Sequence, residues 1–207
     1  MADYPAELIH ERTLFDGSQV TIRPIRREDT PMEQDFVRHL SRDSRYARFM
    51  VTLTELPASK LKYLTEIDYE HHLALVAVVR RDGCEVEVGV ARYVVGPTAD
   101  SCEFAVAVDD AWQGSGVAGV LMLALMDAAR ARGLKSMEGF VLASNHKMLK
   151  FAGQLGFEAH RVTDDPQTIH VWRALQPGQP MTKGETPQQA RERAGGPRNG
   201  DIGPQHA

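Results

Sequence analysis

The spacing of hydrophobic and polar positions along this chain changes period several times, and the changes divide it into elements. Val20, Ile22 and Pro24-Ile25 suggest a first strand, after which Arg27-Glu28-Asp29 lead into an amphipathic helix through about Leu40. A second helical segment follows Pro57 and carries Leu61, Leu64 and Ile67. Three apolar runs then come in close succession, His72 to Val79, Val86 to Val95 and Cys102 to Val108, separated by the turn signals Arg81-Asp82-Gly83 and Gly96-Pro97. Their closeness predicts antiparallel pairing, since parallel neighbours need a long crossover. Further on, the pattern predicts a helix from Val117 to Arg132 stopping at Gly133, and a strand from Lys135 to Leu142. A helix from Asn145 to Leu155 stopping at Gly156 follows, then strands near Phe157 to Val162 and Thr168 to Ala174. The order β-α-α-β-β-β-α-β-α-β-β predicts an α/β (α+β) fold, a mixed and mainly antiparallel sheet with helices on both faces.

The ends of the chain read differently. Residues 176–207 are rich in Pro, Gly and Gln with almost no large apolar side chain, so they cannot bury enough surface to offset ordering entropy, and a disordered tail is expected. Residues 1–17 read as a poorly defined lead-in, which leaves a core over 18–175 with no internal repeat. At 207 residues and 43% hydrophobic, the chain can bury one well-formed domain plus tails. A net charge of −4 gives no sign of nucleic-acid affinity. Cys84 and Cys102 lack metal-ligand spacing and suggest a reducing compartment. No apolar run reaches the roughly 20 residues of a membrane span. The N-terminal stretch carries acids and no apolar core of a signal peptide, so a cytoplasmic protein is expected.

The stretch Trp112 to Gly119, WQGSGVAG, carries the chemistry. It follows a strand and opens a helix, so it presents free backbone N–H groups and the positive end of a helix dipole, a combination suited to phosphate. Read as Gly114-x-Gly116-x-x-Gly119, it matches a dinucleotide fingerprint, with Glu138 placed about where a ribose-binding acid would lie. Asp109 to Gln113 argue against that reading, because in a dinucleotide motif the first glycine comes almost directly off the strand. Read as Gln113-x-x-Gly116-x-Ala118, the stretch resembles the pyrophosphate loop of the GNAT acetyltransferase superfamily, in which a short acidic turn separates strand and loop.

Asn145 to Phe157, NHKMLKFAGQLGF, is similar to that family's Asn-led helix ending in Gly-Phe. Leu40 to Met50, LSRDSRYARFM, is similar to a segment of its subgroup of bacterial protein lysine acetyltransferases. The resemblance implies acetyl-CoA as co-substrate, no metal, and an amine acceptor. A protein lysine is the first expectation for that acceptor, and a small-molecule or N-terminal amine the second. It assigns Gln113, Gly114, Ser115, Gly116, Val117 and Ala118 to the pyrophosphate, the backbone of Ala107 and Val108 to the pantetheine arm, and Asn145 to a further cofactor contact. Asn145 also suits a helix cap, and the two roles are compatible. Where many members carry a tyrosine acid for the departing thiolate, this chain has Ala152, which keeps a non-catalytic acyl-CoA sensor open as an alternative. A thiol with pKa about 8.5 leaves tolerably as its anion without such an acid.

The attacking amine is the harder problem. A lysine of pKa about 10.4 is neutral in roughly one molecule per few thousand at pH 7, so the site needs a proton acceptor. Strand alternation groups Glu103 with the small Ala105 and Ala107, leaving room beside the acid, and the resemblance matches Glu103 to the subgroup's general base. The plainer reading of Glu103 is a strand-edge acid facing water or pairing with Arg92. Asp109 and Asp110 lie in the turn before the loop, where they would repel a pyrophosphate unless turned away. Cys102 lacks a neighbouring histidine base, and no histidine pair has zinc spacing. Arg42, Arg45 and Arg48 fit a solvated helix face, with an acidic substrate or the cofactor's 3′-phosphate as the functional alternative. Nothing in the sequence decides between a monomer and a homodimer. Removal of the residues after Leu175 is expected to leave the melting temperature and acyl-CoA affinity nearly unchanged, and a large loss of either in a thermal-shift titration would contradict the reading of that segment.

Overall fold

The computed structural model describes residues 3–175; the tail expected over 176–207 lies outside them. Eight strands form one sheet in the order β1-β2-β3-β4-β5-β6-β8-β7. They are β1 (His10–Thr13), β2 (Gln19–Pro24), β3 (His72–Arg81), β4 (Cys84–Val95), β5 (Ser101–Val108), β6 (Ser136–Leu142), β7 (Glu158–Val162) and β8 (Asp165–Ala174). Every neighbouring pair is antiparallel except β5 with β6. One face is covered by α1 (Thr30–His39) and α3 (Ala58–Thr65), with α2 (Arg42–Phe49) against β5, and the other by α4 (Val117–Ala131) and α5 (His146–Gln154). The mixed, mainly antiparallel sheet with helices on both faces is the architecture expected from the pattern.

Burial on both faces explains why the third strand shows no polar alternation. Leu73, Leu75 and Ala77 pack into the core beneath α4, Ala74, Val76 and Val78 into the core beneath α1 and α3, and all six are at most 2% exposed. The long apolar helix α4 supplies Leu121, Met122, Leu125 and Met126, all fully buried, each contributing about 1.5–3 kcal/mol by leaving water.

One element lies where the pattern gave none, and a second where it gave only a solvated helix face around Arg42, Arg45 and Arg48. The lead-in holds β1, whose sequence HERT pairs with β2 but buries nothing, so no hydrophobic period marks it. Leu14 beyond it is core, and the Tyr4 hydroxyl donates to the Pro24 carbonyl at 3.0 Å. The helix α2 is polar, with no fully buried residue, and is started by Ser41, whose hydroxyl accepts the Ser44 N–H at 3.2 Å.

Charge is buried beneath α1. Arg92 of β4 donates to Glu33 of α1 at 3.1 Å and to the Leu64 carbonyl at 2.9 Å, and both side chains of that ion pair are almost wholly enclosed. Glu87 sits nearby, 3% exposed, its carboxyl against that of Glu33. Burial, and then the negative charge of Glu33, raise its pKa well above the ordinary value and favour the neutral acid. An acid whose folded pKa is raised contributes stability that is fully present below its unfolded pKa near 4.5 and is lost as pH rises through the folded pKa. Glu87→Gln, always neutral, is therefore expected to match the native protein near pH 4 and exceed it in urea stability near pH 8; a variant less stable at pH 8 than at pH 4 relative to native would refute the assignment.

Candidate active site

The sheet opens in its middle. β5 pairs with β6 only at Ser101↔Ser136, Cys102↔Met137 and Glu103↔Glu138, while β5 stays paired with β4 to Val108 and β6 stays paired with β8 to Leu142. Beyond Glu103 the two strands diverge and leave a fork. Its floor is sealed by Phe104, whose ring lies 4.9 Å from that of Phe157 and so close to Gly139 that a Cβ there would meet it at 2.8 Å.

Backbone hydrogen bonds decide which peptides of β5 face the fork. Gly96 donates to the Ser101 carbonyl at 2.8 Å and Asp109 donates to the Val88 carbonyl at 3.0 Å. Peptides alternate sides along a strand, so the intervening odd residues Glu103, Ala105 and Ala107 also turn their peptides to β4. The expected backbone role of Ala107 is thereby corrected: its N–H and C=O belong to the β4 ladder. Val106 takes that place beside Val108, both with peptides directed into the fork.

At the end of β5 the loop forms as its letters require. Gly114 and Gly116 have φ of +84° and +101°, a region costly for any residue with a Cβ. Gly116 precedes α4, so Val117 and Ala118 begin the first turn, whose N–H groups have no acceptor within the helix. Val117 is itself buried, and Ser115 turns inward, its N–H and hydroxyl both meeting the Trp112 carbonyl. Phe15, 96% exposed on the β1–β2 turn, leans over Gly116, where a Cβ would meet its ring at 3.0 Å.

The acids of the preceding turn point away from the loop's mouth. Asp109 caps its own turn through the Ala111 N–H at 2.8 Å. Asp110 accepts the Ser41 N–H at 2.8 Å and the hydroxyls of Ser41 and Ser44 at 2.9 and 2.7 Å, with the Gln113 amide at 3.3 Å. Burial alone would raise its pKa, but these donors outweigh burial and lower it. Gln113 thus spends its side chain on the Asp110 and Ser44 junction, which ties the start of α2 to the loop.

Glu103 stands at the root of the fork on the α2–α3 side, opening into a cleft of about 380 Å³ whose walls include Arg48, Lys60, Tyr63, Arg92 and Ala105. Its carboxyl is raised above the usual range, first by burial and then by Glu138, with Arg48 and His170 opposing. The alternative of pairing with Arg92 is not taken, since Arg92 is committed to Glu33. Glu138, weighed above only as a ribose-binding acid, is the cross-strand neighbour of Glu103 and bonds His170 of β8 at 2.8 Å. Only the register of three strands brings this trio together, and no local pattern marks it. Asn145 caps α5, its Oδ1 accepting the Met148 N–H at 3.1 Å. Ala152 is 1% exposed in the core and supplies no acid. Burial, and then Glu138, push the Cys102 thiol up to about 12, which leaves it no nucleophilic role near neutrality.

Among the described residues, no group of three or more His, Cys, Asp or Glu is arranged to hold a metal ion, and no helix is long and apolar enough to cross a membrane. The model of the acetyltransferase (GNAT) family matches residues 35–157. The acetyltransferase PA5475 of Pseudomonas aeruginosa is 40% identical over 159 residues, covering 76% of this chain and 86% of that protein. The acetyltransferase Pat of Mycolicibacterium smegmatis is 30% identical over 141 residues, 68% of this chain but only 41% of the relative's length. The crystal structure of the GNAT domain of S. lividans PAT superposes with a TM-score of 0.76 at 28% identity, covering 83% of this chain and 99% of that domain. The fork, the glycine loop at a helix start and these likenesses agree: the chain belongs to the GNAT family of acetyltransferases, enzymes that use acetyl-CoA.

Proposed function

We propose that the chain transfers the acetyl group to the side-chain amine of a protein lysine, with Glu103 as general base. The observation that carries the reading is the cleft at Glu103. It lies on the surface, with half-exposed Tyr63 on its wall, so an amine borne on another molecule's surface can reach the carboxylate without the acceptor being enclosed. The resemblance of Leu40 to Met50 and Asn145 to Phe157 to bacterial protein lysine acetyltransferases supports the same acceptor.

In this mechanism, the N–H groups of Gly114, Gly116, Val117 and Ala118 hold the pyrophosphate of acetyl-CoA at the dipole end of α4, with Gln113 securing the loop. The Val106 carbonyl and the peptide groups of Val108 are offered to the pantetheine amides as a neighbouring strand would offer them. The co-substrate supplies the activated thioester. Glu103 takes the proton of the incoming amine, and the Val106 N–H, next along the inner edge of β5, stabilises the developing oxyanion. The thiolate leaves unaided by Ala152, as its own acidity permits. Asn145 orients the last turn before α5 beside the fork through its cap, and its amide N–H remains for the cofactor arm.

Gly116→Asp is expected to abolish the stabilisation of the fold by acetyl-CoA, because a carboxylate enters the phosphate site at a φ of +101° and its Cβ strikes Phe15. The fold itself should survive by circular dichroism, and an undiminished thermal shift would remove the loop from the site. Glu103→Gln keeps shape and hydrogen bonding but cannot accept a proton, so acetyl-CoA should still bind while turnover falls about 10²–10⁴-fold. The native pH–rate profile should rise through the elevated carboxyl pKa, a limb the variant lacks, and part of the variant's loss should return at higher pH as the acceptor deprotonates. Equal rates for native and variant at neutral pH would make Glu103 structural.

A further inference from the structure

The walls of the acceptor cleft carry more positive charge than the fold neutralises. Arg48 from α2, Lys60 from α3 and Arg92 from β4 line it, facing Glu103, with Glu33 behind Arg92. Glu33 is consumed by Arg92. Among the described residues, Arg48 makes no ion pair or hydrogen bond, its guanidinium lying 4.9 Å over the Phe49 ring. Lys60 rests its ammonium 5.0 Å over Tyr63 and has no carboxylate partner. The crowding is visible in their acidities: burial, and then Arg92, bring Arg48 down to about 10, and burial, then Arg48 and Arg92, lower Lys60.

The cofactor's phosphates do not supply the missing anion. Five residues of strand separate Glu103 from Val108, about 17 Å at about 3.3 Å per residue, and the loop lies beyond, roughly two Debye lengths away at physiological salt. The Ser41–Asp110 and Ser44–Asp110 bonds fix the other end of α2 at the loop, which holds Arg48 at the cleft end. Glu103 itself becomes neutral when it takes the amine proton, so the cleft is most positive when the reaction is under way. An acceptor entering as an ammonium meets like charge, which favours its reactive neutral form but opposes its binding. A carboxylate on the same acceptor resolves that conflict.

We infer that this cleft selects amines that carry a carboxylate close by, held by Arg48 and Lys60, which for a protein acceptor means a lysine flanked by Asp or Glu; the inference rests on the reading that the acceptor amine reaches Glu103 through this cleft. The test uses the full chain and peptides of one sequence that differ only in the residues on either side of a single lysine, Glu, Gln or Lys. Acetyl transfer is followed by mass spectrometry, and peptide binding without acetyl-CoA by calorimetry. Glu-flanked peptide should exceed Gln-flanked by about tenfold in kcat/KM and in affinity, with Lys-flanked lowest and the spread shrinking as salt rises. Arg48→Gln should remove most of the spread, Arg48→Glu should reverse its order, and Lys60→Gln gives the same readout from a separate helix should the Arg48 variants fail to fold. Equal turnover of all three peptides by native protein overturns the inference and leaves the protein-lysine reading standing. No transfer to any peptide, together with transfer to free amino acids but not to their amides, sustains carboxylate selection and overturns the protein acceptor. Transfer to acids and amides alike overturns the inference for either source.

Discussion

The whole site depends on one interruption of hydrogen bonding, the end of the β5–β6 ladder after Glu103↔Glu138. A backbone N–H or C=O left without a partner costs free energy, and an unpaired edge in the middle of a sheet is an invitation to another chain-like molecule. Here the edge is kept open because each strand is held from its far side, β5 by β4 and β6 by β8, so closing the fork would break ladders that already exist. The pantetheine arm, with its amides spaced along a flexible chain, has the donors and acceptors to complete such an edge. The same interruption puts Glu103 at the fork's root and the glycine loop at its mouth, so that under the proposed function the length of β5 sets the span of cofactor between phosphate and reacting carbon.

The helix α2 turns that geometry into a single body. Its first residues are held to Asp110, and its last turn carries Arg48 into the acceptor cleft. Asp110 lies one turn before the phosphate loop, yet its charge is absorbed by serine donors and not by the ligand. Asp110 thereby becomes the fastening between the glycine loop and the cleft wall. α2 has no fully buried residue, and this fastening joins the packing of Phe49 on the core in locating it.

The parts of this arrangement that were legible in the sequence are local. The loop Gln113 to Ala118, the Asn145 cap, the run of strands and the face shared by Glu103, Ala105 and Ala107 all follow from spacing within one element. What was not legible depends on which element lies next to which. Side-chain alternation along β5 is independent of its neighbours, but the direction of each peptide is not, and for that reason Val106 and not Ala107 faces the fork. Glu138 and His170 come from strands 32 residues apart and meet only through β6–β8 register. Arg92 reads from the sequence as a partner for Glu103, and only the packing of α1 across β4 gives it to Glu33 instead. β1 escaped notice because HERT is exposed on both faces and carries no period to detect.

Opposing electrostatic influences meet on the one carboxylate that the proposed mechanism uses as base. Burial and the neighbouring Glu138 push Glu103 toward the neutral acid, while Arg48 and His170 pull it back. The upward influences win, so the Glu103 carboxyl holds a proton more readily than a solvated glutamate does, as the proposed general base requires. Arg48 and His170 oppose the rise without cancelling it. His170 is itself bonded to Glu138 at 2.8 Å. In the proposed mechanism the charged groups serve removal of the amine proton and not protonation of the leaving thiolate, in keeping with a buried, apolar Ala152.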